Sequence, residues 1–212
     1  MKRMIRISNH TFVDWACFCR EVVLNAFIDK KEKLGGIGVT VEIDESKFGR
    51  RKYHRGHRVE GQWIFGGYER GSGRVFMVAV EDRGRATLLP IIKDWILPGT
   101  TVISDFWKAY DCLQDEGYEH LKVNHSLHFK DPVTGAHSNS IESSWCAAKT
   151  SFSSSGRIKA HIPGNLARYM FEKRCDQMGL DRAVEFLTLA GLLYRDSVEP
   201  VDEVLDDDVD FE

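Results

Sequence analysis

The chain has no run of about 18 consecutive apolar residues, the length needed to span a bilayer as a helix. Its opening, Met1-Lys-Arg-Met-Ile-Arg, is not followed by the apolar stretch of a secretory signal. The expectation is therefore a soluble intracellular protein that is not secreted and has no membrane partner: nuclear if the host is eukaryotic, otherwise cytoplasmic. Cysteine is scarce as well. The five (Cys17, Cys19, Cys112, Cys146 and Cys175) are odd in number and scattered, and Cys17/Cys19 has the wrong spacing for a CxxC pair. That pattern speaks against a disulfide framework or a structural zinc site and reads as reduced thiols in the core or at the surface. Internal repeats are absent, and low complexity is confined to Ser153-Ser-Ser-Gly156, a turn or flexible loop, and to the acidic end. With 212 residues and 42% hydrophobic content, the chain is long enough for one substantial core.

The formal net charge of −3 conceals an uneven distribution. Residues 196–212 hold nine acids and no Lys or Arg, and without them residues 1–195 carry +6. The final segment, VEPVDEVLDDDVDFE, has too little apolar content to form a core and reads as a solvated, disordered tail. An intramolecular mimic of DNA is the alternative for it. The chain then divides into a lead-in helix and linker (1–38), a main domain (39–195) and this tail (196–212).

Periodicity supplies the elements. Apolar residues at helical spacing over residues 9–30 predict a helix ending before the Gly35-Gly36-Ile37-Gly38 turn. From Val39 to Asp44 the pattern alternates as a strand does; QWIFGGYE (62–69) and RVFMVAV (74–80) follow, joined by the hairpin chemistry of Gly71-Ser-Gly73. A helix over 86–97, a strand at 100–104, a helix over 106–116 and a strand at 120–124 come next, then helices near 138–152, 164–178 and 181–194. The order β-β-β-α-β-α-β-α is that of the ribonuclease H-like fold: an α/β mixed sheet, three antiparallel strands and then alternating helices and strands, flanked by helices.

Three acids fall at telling places. Asp44 closes the first strand and Asp105 the fourth, so adjacent strand ends bring two carboxylates together. Glu142, 37 residues beyond Asp105, lies in the first turn of a helix that Asn139 or Ser140 can cap. Taken singly, each has an ordinary reading, as a turn former or a partner of the helix dipole. Together they offer the hard oxygen ligands that hold two magnesium ions roughly 3.5–4 Å apart for phosphoryl transfer, with no need for Cys or His. Lys149, seven residues after Glu142, projects from the same helix face and is either a phosphate contact or a solvated lysine.

The phrases VEIDESKFGRRKYHRGHRVEGQWIFGGYERGSG, ILPGTTVISDFWKAYDCL and YEHLKVNHSLHFKDPVTGAHSNSIESSWCAAK, in that order, resemble the transposases of Merlin elements and of related bacterial insertion sequences. The resemblance covers roughly residues 8–178. It implies a DDE enzyme dependent on Mg2+, with Mn2+ able to substitute, that nicks DNA at inverted-repeat ends and joins the freed 3′-hydroxyl to target DNA. By motif match the triad falls on Asp44, Asp105 and Glu142. The implied partner is double-stranded DNA, both transposon ends and target, and the implied assembly a homodimer or larger synaptic complex. Two departures stand out: about 35 residues precede the first strand where relatives carry an end-recognition segment, and Cys146-Ala147-Ala148 replaces basic residues after Trp145. The expectations drawn from them are that end recognition is missing or supplied elsewhere and that strand transfer is weakened.

Between positions 47 and 58 six cations (Lys47, Arg50, Arg51, Lys52, Arg55 and Arg58) stand with His54 and His57 and no acid. Just after the first catalytic strand, such a loop either neutralises phosphates beside the metals or is a solvated hairpin. Tyr53 within it either stacks on a base or packs. Trp63, Trp107 and Trp145 occupy apolar contexts and read as core. His125, His128 and His137 are spaced poorly for a metal site; His137 or Asn139 instead supports the acids from behind. The competing functions are a transposase catalytic domain, a transposon-derived DNA-binding or interaction protein that no longer cuts, and a nuclease without strand transfer.

Overall fold

The computed structural model describes residues 7–29, 32–49, 61–123, 139–152 and 159–197. Its centre is a five-stranded sheet built on β2 (Thr40–Phe48). On one side β2 pairs antiparallel with β3 (Gln62–Glu69), which pairs antiparallel with β4 (Val75–Val80). On the other it pairs parallel with β6 (Thr101–Ser104), which pairs parallel with β7 (Glu119–Lys122). The spatial order β4-β3-β2-β6-β7, three antiparallel strands and then two parallel ones, is the ribonuclease H-like arrangement expected from the element order. A small parallel pair, β1 (Leu34–Gly35) with β5 (Ile96–Leu97), lies apart from this sheet.

Side chains of β2 alternate between the two faces. The face carrying Glu42, Asp44, Ser46 and Phe48 meets α3 (Asn139–Ser151), which buries Ile141, Trp145 and Ala148 at helical spacing. Beyond it α4 (Ile162–Met178) packs on β4, and α1 (Asn9–Asp29) and α5 (Arg182–Ser197) cover α4 around Val23, Ala167, Phe171 and Cys175. The opposite face is covered by α2 (Arg85–Trp95) and the turn containing Tyr110. There Phe76 stacks on Trp95 at 5.3 Å between centroids, and Phe65 lies 6.5 Å from the Tyr110 ring. Each such buried aromatic contributes roughly 1.5–3 kcal/mol.

Four expectations are corrected. Asp44 does not close its strand, because the ladder with β3 carries β2 on to Phe48, opposite Gln62. The segment 106–116 is not an α-helix: Trp107 is extended (φ −68°, ψ 128°), and only Lys108–Tyr110 forms a 3-10 turn. Tyr110 and Leu113 still reach the core, since a spacing of three suits successive turns as well as a helix. The second helix ends at Trp95, where Ile96–Leu97 leaves to pair with Leu34–Gly35. Trp107 is 41% exposed and is not a core residue. The five cysteines are free thiols, two of them buried. Among the described residues, no helix is long and apolar enough to cross a membrane. Most of the acidic tail (198–212), the Ser-rich stretch 153–156 and His125 and His128 lie outside the described residues.

Candidate active site

β2 and β6 run in register from Thr40 opposite Thr101 to Glu42 opposite Ile103. Continuing that register by two residues sets Asp44 level with Asp105, which directly follows β6. Asp105 thus lies just past the end of its strand, whereas Asp44 stands where β2 outruns its parallel neighbour. Asp105 is held by its own turn, its Oδ1 accepting the main-chain N–H of Trp107 at 3.0 Å. Behind it the Ser104 hydroxyl donates to the Asp105 carbonyl at 2.9 Å and shares a 2.7 Å hydrogen bond with His120 Nε2.

Glu142 is carried by α3 on the Asp44 face of the sheet, and its position depends on how α3 is seated. Neither Asn139 nor Ser140 provides the N-terminal cap that the sequence suggests; instead Glu42, fully buried in β2, accepts the N–H groups of both Ser140 and Ile141 at 3.0 Å through Oε2. Its Oε1 takes the Arg70 Nε at 2.7 Å. One turn on, Trp145 Nε1 donates to Asp44 Oδ2 at 3.0 Å. Two acids of the same β2 face therefore fix the helix at both ends of its first two turns. The indole finds room because β3 has glycine opposite Asp44: a Cβ at Gly66 would come within 2.6 Å of the Trp145 ring and 2.8 Å of the Phe76 carbonyl oxygen. Phe48 closes the packing edge-on to Trp145 and Phe152.

The electrostatics record the gathering. Burial raises the Asp44 carboxyl from an ordinary 3.8 to about 6; the hydrogen bonds from the Trp145 indole and the Glu45 main chain oppose the rise, and the negative charges of Asp105 and Glu142 add to it. Lys149 sits at the next step along the same face. Its Nζ donates to Ser46 Oγ at 2.7 Å and lies 5.2 Å from the Phe48 ring centroid. Burial lowers its pKa, and the Asp44 charge resists that. The expected projection of Glu142 and Lys149 from one helix face is what the structure has, with Trp145 between them.

Besides Glu42, a second carboxylate of β2 becomes conspicuous only in the fold. Glu45 points to the opposite face, where it accepts a hydrogen bond from the buried Tyr110 hydroxyl. Burial raises it to about 7; that hydrogen bond opposes the rise, the charges of Asp44 and Asp105 add to it and Arg83 opposes it. Burial and the Glu45 charge in turn push the Tyr110 hydroxyl well above its usual range. The available signal for Glu42 and Glu45 was alternation itself, since acids flanking Asp44 on a buried strand must each find a partner.

Of the other predicted residues, Lys47 is exposed at the end of β2, with Nζ 5.5 Å from the Trp63 ring centroid. Asn139 begins α3 on its exposed side, and its carbonyl accepts the Ser143 hydroxyl. Arg50, Arg51, Lys52, Arg55, Arg58 and His137 lie outside the described residues, as do Tyr53, His54 and His57.

The donor chemistry at Asp44 fits a hard divalent cation: carboxylate oxygens, half buried, whose mutual repulsion a dication would relieve. Among the described residues, no three His, Cys, Asp or Glu side chains are close enough together to grip an ion as they stand. The acids are neighbours in field and not a closed ligand cage.

The mixed sheet and its helices define the ribonuclease H-like class, with Asp44 of β2 level with Asp105 beyond β6 and Glu142 on the helix that packs over Asp44. Residues 33–172 match the model of the ISXO2-like transposase domain, and the chain belongs to that family. It is 36% identical over 76 residues to an uncharacterized transposase-like protein of Haemophilus influenzae, a match spanning 36% of this chain and 60% of that protein's length. Similar solved structures include the catalytic core domain of BIV integrase, at 12% identity and a TM-score of 0.44 over 73% of this chain and 97% of that one. Another is a chain of the simian T-cell lymphotropic virus intasome in complex with PP2A regulatory subunit B56 gamma, at 15% identity and a TM-score of 0.42 over 67% and 51% respectively.

Proposed function

We propose that this chain cleaves DNA strands at transposon ends and transfers them to target DNA, in a reaction that depends on Mg2+ or Mn2+. What supports the reading is membership of a transposase family, together with a sheet register that sets Asp44 level with Asp105 and a helix, α3, that carries Glu142 and is hydrogen-bonded to Asp44 through Trp145. Asp44, Asp105 and Glu142 are the residues that would hold a pair of ions, with two magnesium ions as the expected occupancy. When bound, such ions supply positive charge at the attacking and leaving oxygens.

The remaining work belongs to the chain. In cleavage a water oxygen bonds to phosphorus as the P–O3′ bond breaks, leaving a 3′-hydroxyl. In transfer that hydroxyl attacks a target phosphate and a target 3′-oxygen departs. Lys149, whose Nζ is hydrogen-bonded to Ser46 Oγ, contacts a phosphate oxygen in this reading. Trp145 orients Asp44 through one carboxylate oxygen, and the Trp107 main chain orients Asp105. Glu42 sets α3 and with it Glu142. Lys47 and the cations of residues 50–58 supply the salt-dependent hold on the duplex.

The test incubates the full chain with Mg2+ or Mn2+ and labelled DNA carrying the cognate ends, beside Asp105→Ala. Wild type is expected to release nicked and joined products and the variant neither, a loss of at least about 1,000-fold. Nicking without joined products would convert the reading to a nuclease. Equal inactivity with DNA binding retained would leave a transposon-derived DNA-binding protein.

A further inference from the structure

On the sheet face opposite α3, cations and aromatic rings alternate in a row that ends at Asp105. Lys47 Nζ lies 5.5 Å from the Trp63 ring centroid, and the Arg83 guanidinium lies 4.2 Å from Trp63 and 4.9 Å from Trp107. The Trp107 indole N–H donates to the Arg83 carbonyl at 3.0 Å, and its main-chain N–H donates to Asp105 Oδ1 at 3.0 Å. Phe106, between Asp105 and Trp107 in sequence, is 60% exposed. A further cation, Lys108, follows on the exposed side of the same turn.

The turn is pinned at both residues flanking the phenyl ring, and the Tyr110 N–H also bonds back to the Trp107 carbonyl at 3.1 Å. A large, mostly exposed apolar side chain thus sits in a braced turn directly after Asp105. An interior role would call for burial and a solvated role for a polar side chain. Rings interleaved with cations are the physical requirement for binding an unpaired strand, because every base offers a π-face and every linkage a negative charge. A base inside a duplex presents no such face.

We propose that the Lys47–Trp63–Arg83–Trp107 row with Phe106 is a binding track for unpaired deoxynucleotides flanking the scissile phosphate, with Phe106 as the stacking platform nearest the acids. The inference rests on the DNA reading above and deepens it: the strand to be cut is held locally unpaired on the α2 side while Asp44, Glu142 and Lys149 face the phosphate from the α3 side. Of the described acids near this row, Glu45 faces Arg83, and Asp82 is turned to the Gly84 N–H and the Thr87 hydroxyl.

The experiment measures binding of the full chain, in EDTA so that nothing is cut, to three fluorescently labelled DNAs: a blunt duplex, the same duplex with a three-nucleotide single-stranded overhang, and oligothymidylate. Wild type is expected to prefer the overhang to the blunt duplex by about tenfold, as stacking of one base allows. Tryptophan fluorescence is expected to be quenched by the two DNAs that contain unpaired bases. Phe106→Ala is expected to abolish the preference while leaving blunt-duplex affinity within about twofold, and Phe106→Trp to restore it. Equal binding of blunt and overhang DNA by wild type, or a preference that survives Phe106→Ala, overturns this inference and leaves the DNA reading standing. Failure of wild type to bind any of the three overturns both.

Discussion

The Glu42 carboxylate receives two main-chain N–H groups of α3 and the Arg70 guanidinium while wholly buried. A buried charge with all of its partners present stabilises the arrangement; the same site with one partner neutralised leaves others uncompensated. Glu42→Gln is therefore expected to lower unfolding stability by about 2–3 kcal/mol, read from denaturant midpoints, Arg70 being partly solvated. Cleavage should fall further than stability explains, because Glu142 rides on the helix that Glu42 seats. A variant as stable as wild type would remove Glu42 from this role. Asp105 shows the same logic in small: an Asx-type turn aims its carboxylate.

At the scale of elements, α3 and β3 touch through a contact that only glycine permits. Replacing Gly66 by alanine drives a methyl into the Trp145 ring and the Phe76 carbonyl, so the indole must move and its hydrogen bond to Asp44 must break. Gly66→Ala is expected to cost about 1–3 kcal/mol in stability and to cut cleavage at least tenfold. Gly71→Ala in the hairpin, where nothing lies near the added methyl but φ is +86°, is expected to cost about 1 kcal/mol and to spare cleavage. Thermal melts and single-turnover cleavage compare the two, and equal effects on cleavage would mean that Trp145 does not govern Asp44.

For the whole molecule, the raised carboxyls make stability depend on pH. In an unfolded chain Asp44 and Glu45 release their protons near their ordinary values of 3.8 and 4.5; in the folded protein they do so at about 6 and about 7. Between those limits the native state binds more protons than the unfolded one, so this contribution to stability is lost as pH rises from about 4 to about 7. Metal-free wild type is expected to lose melting temperature across that window relative to an Asp44→Asn/Glu45→Gln double variant, and parallel pH curves would refute the assignment. Mg2+ or Mn2+ at about pH 7.5 should recover the loss, by roughly 2.7 kcal/mol at a metal concentration 100 times Kd. Asp44→Asn should forfeit that gain, as calorimetry would report.

Periodicity and turn chemistry are short-range properties, and they carried much of the fold. Alternation from Val39 to Asp44, the strand patterns at 62–69 and 74–80 with the Gly71-Ser-Gly73 hairpin between them, and the helical spacing of Ile141, Trp145 and Ala148 point to these elements and their order. Asp44 and Asp105 stood out in the sequence as acids closing apolar strand patterns, while Glu142 was singled out by its spacing from Asp105 and by the family resemblance. The length of β2 and the lack of an α-helix at 106–116 were not legible, because the first depends on a ladder with β3 and the second on a turn braced by Arg83 and Asp105. The partners of Glu42 and Asp44 on α3 lie 98 to 101 residues away in sequence. A single sequence read by local pattern determines which side chains face inward; only the packed sheet decides which buried carboxylate meets which helix, because that choice is made by neighbours the chain brings together last.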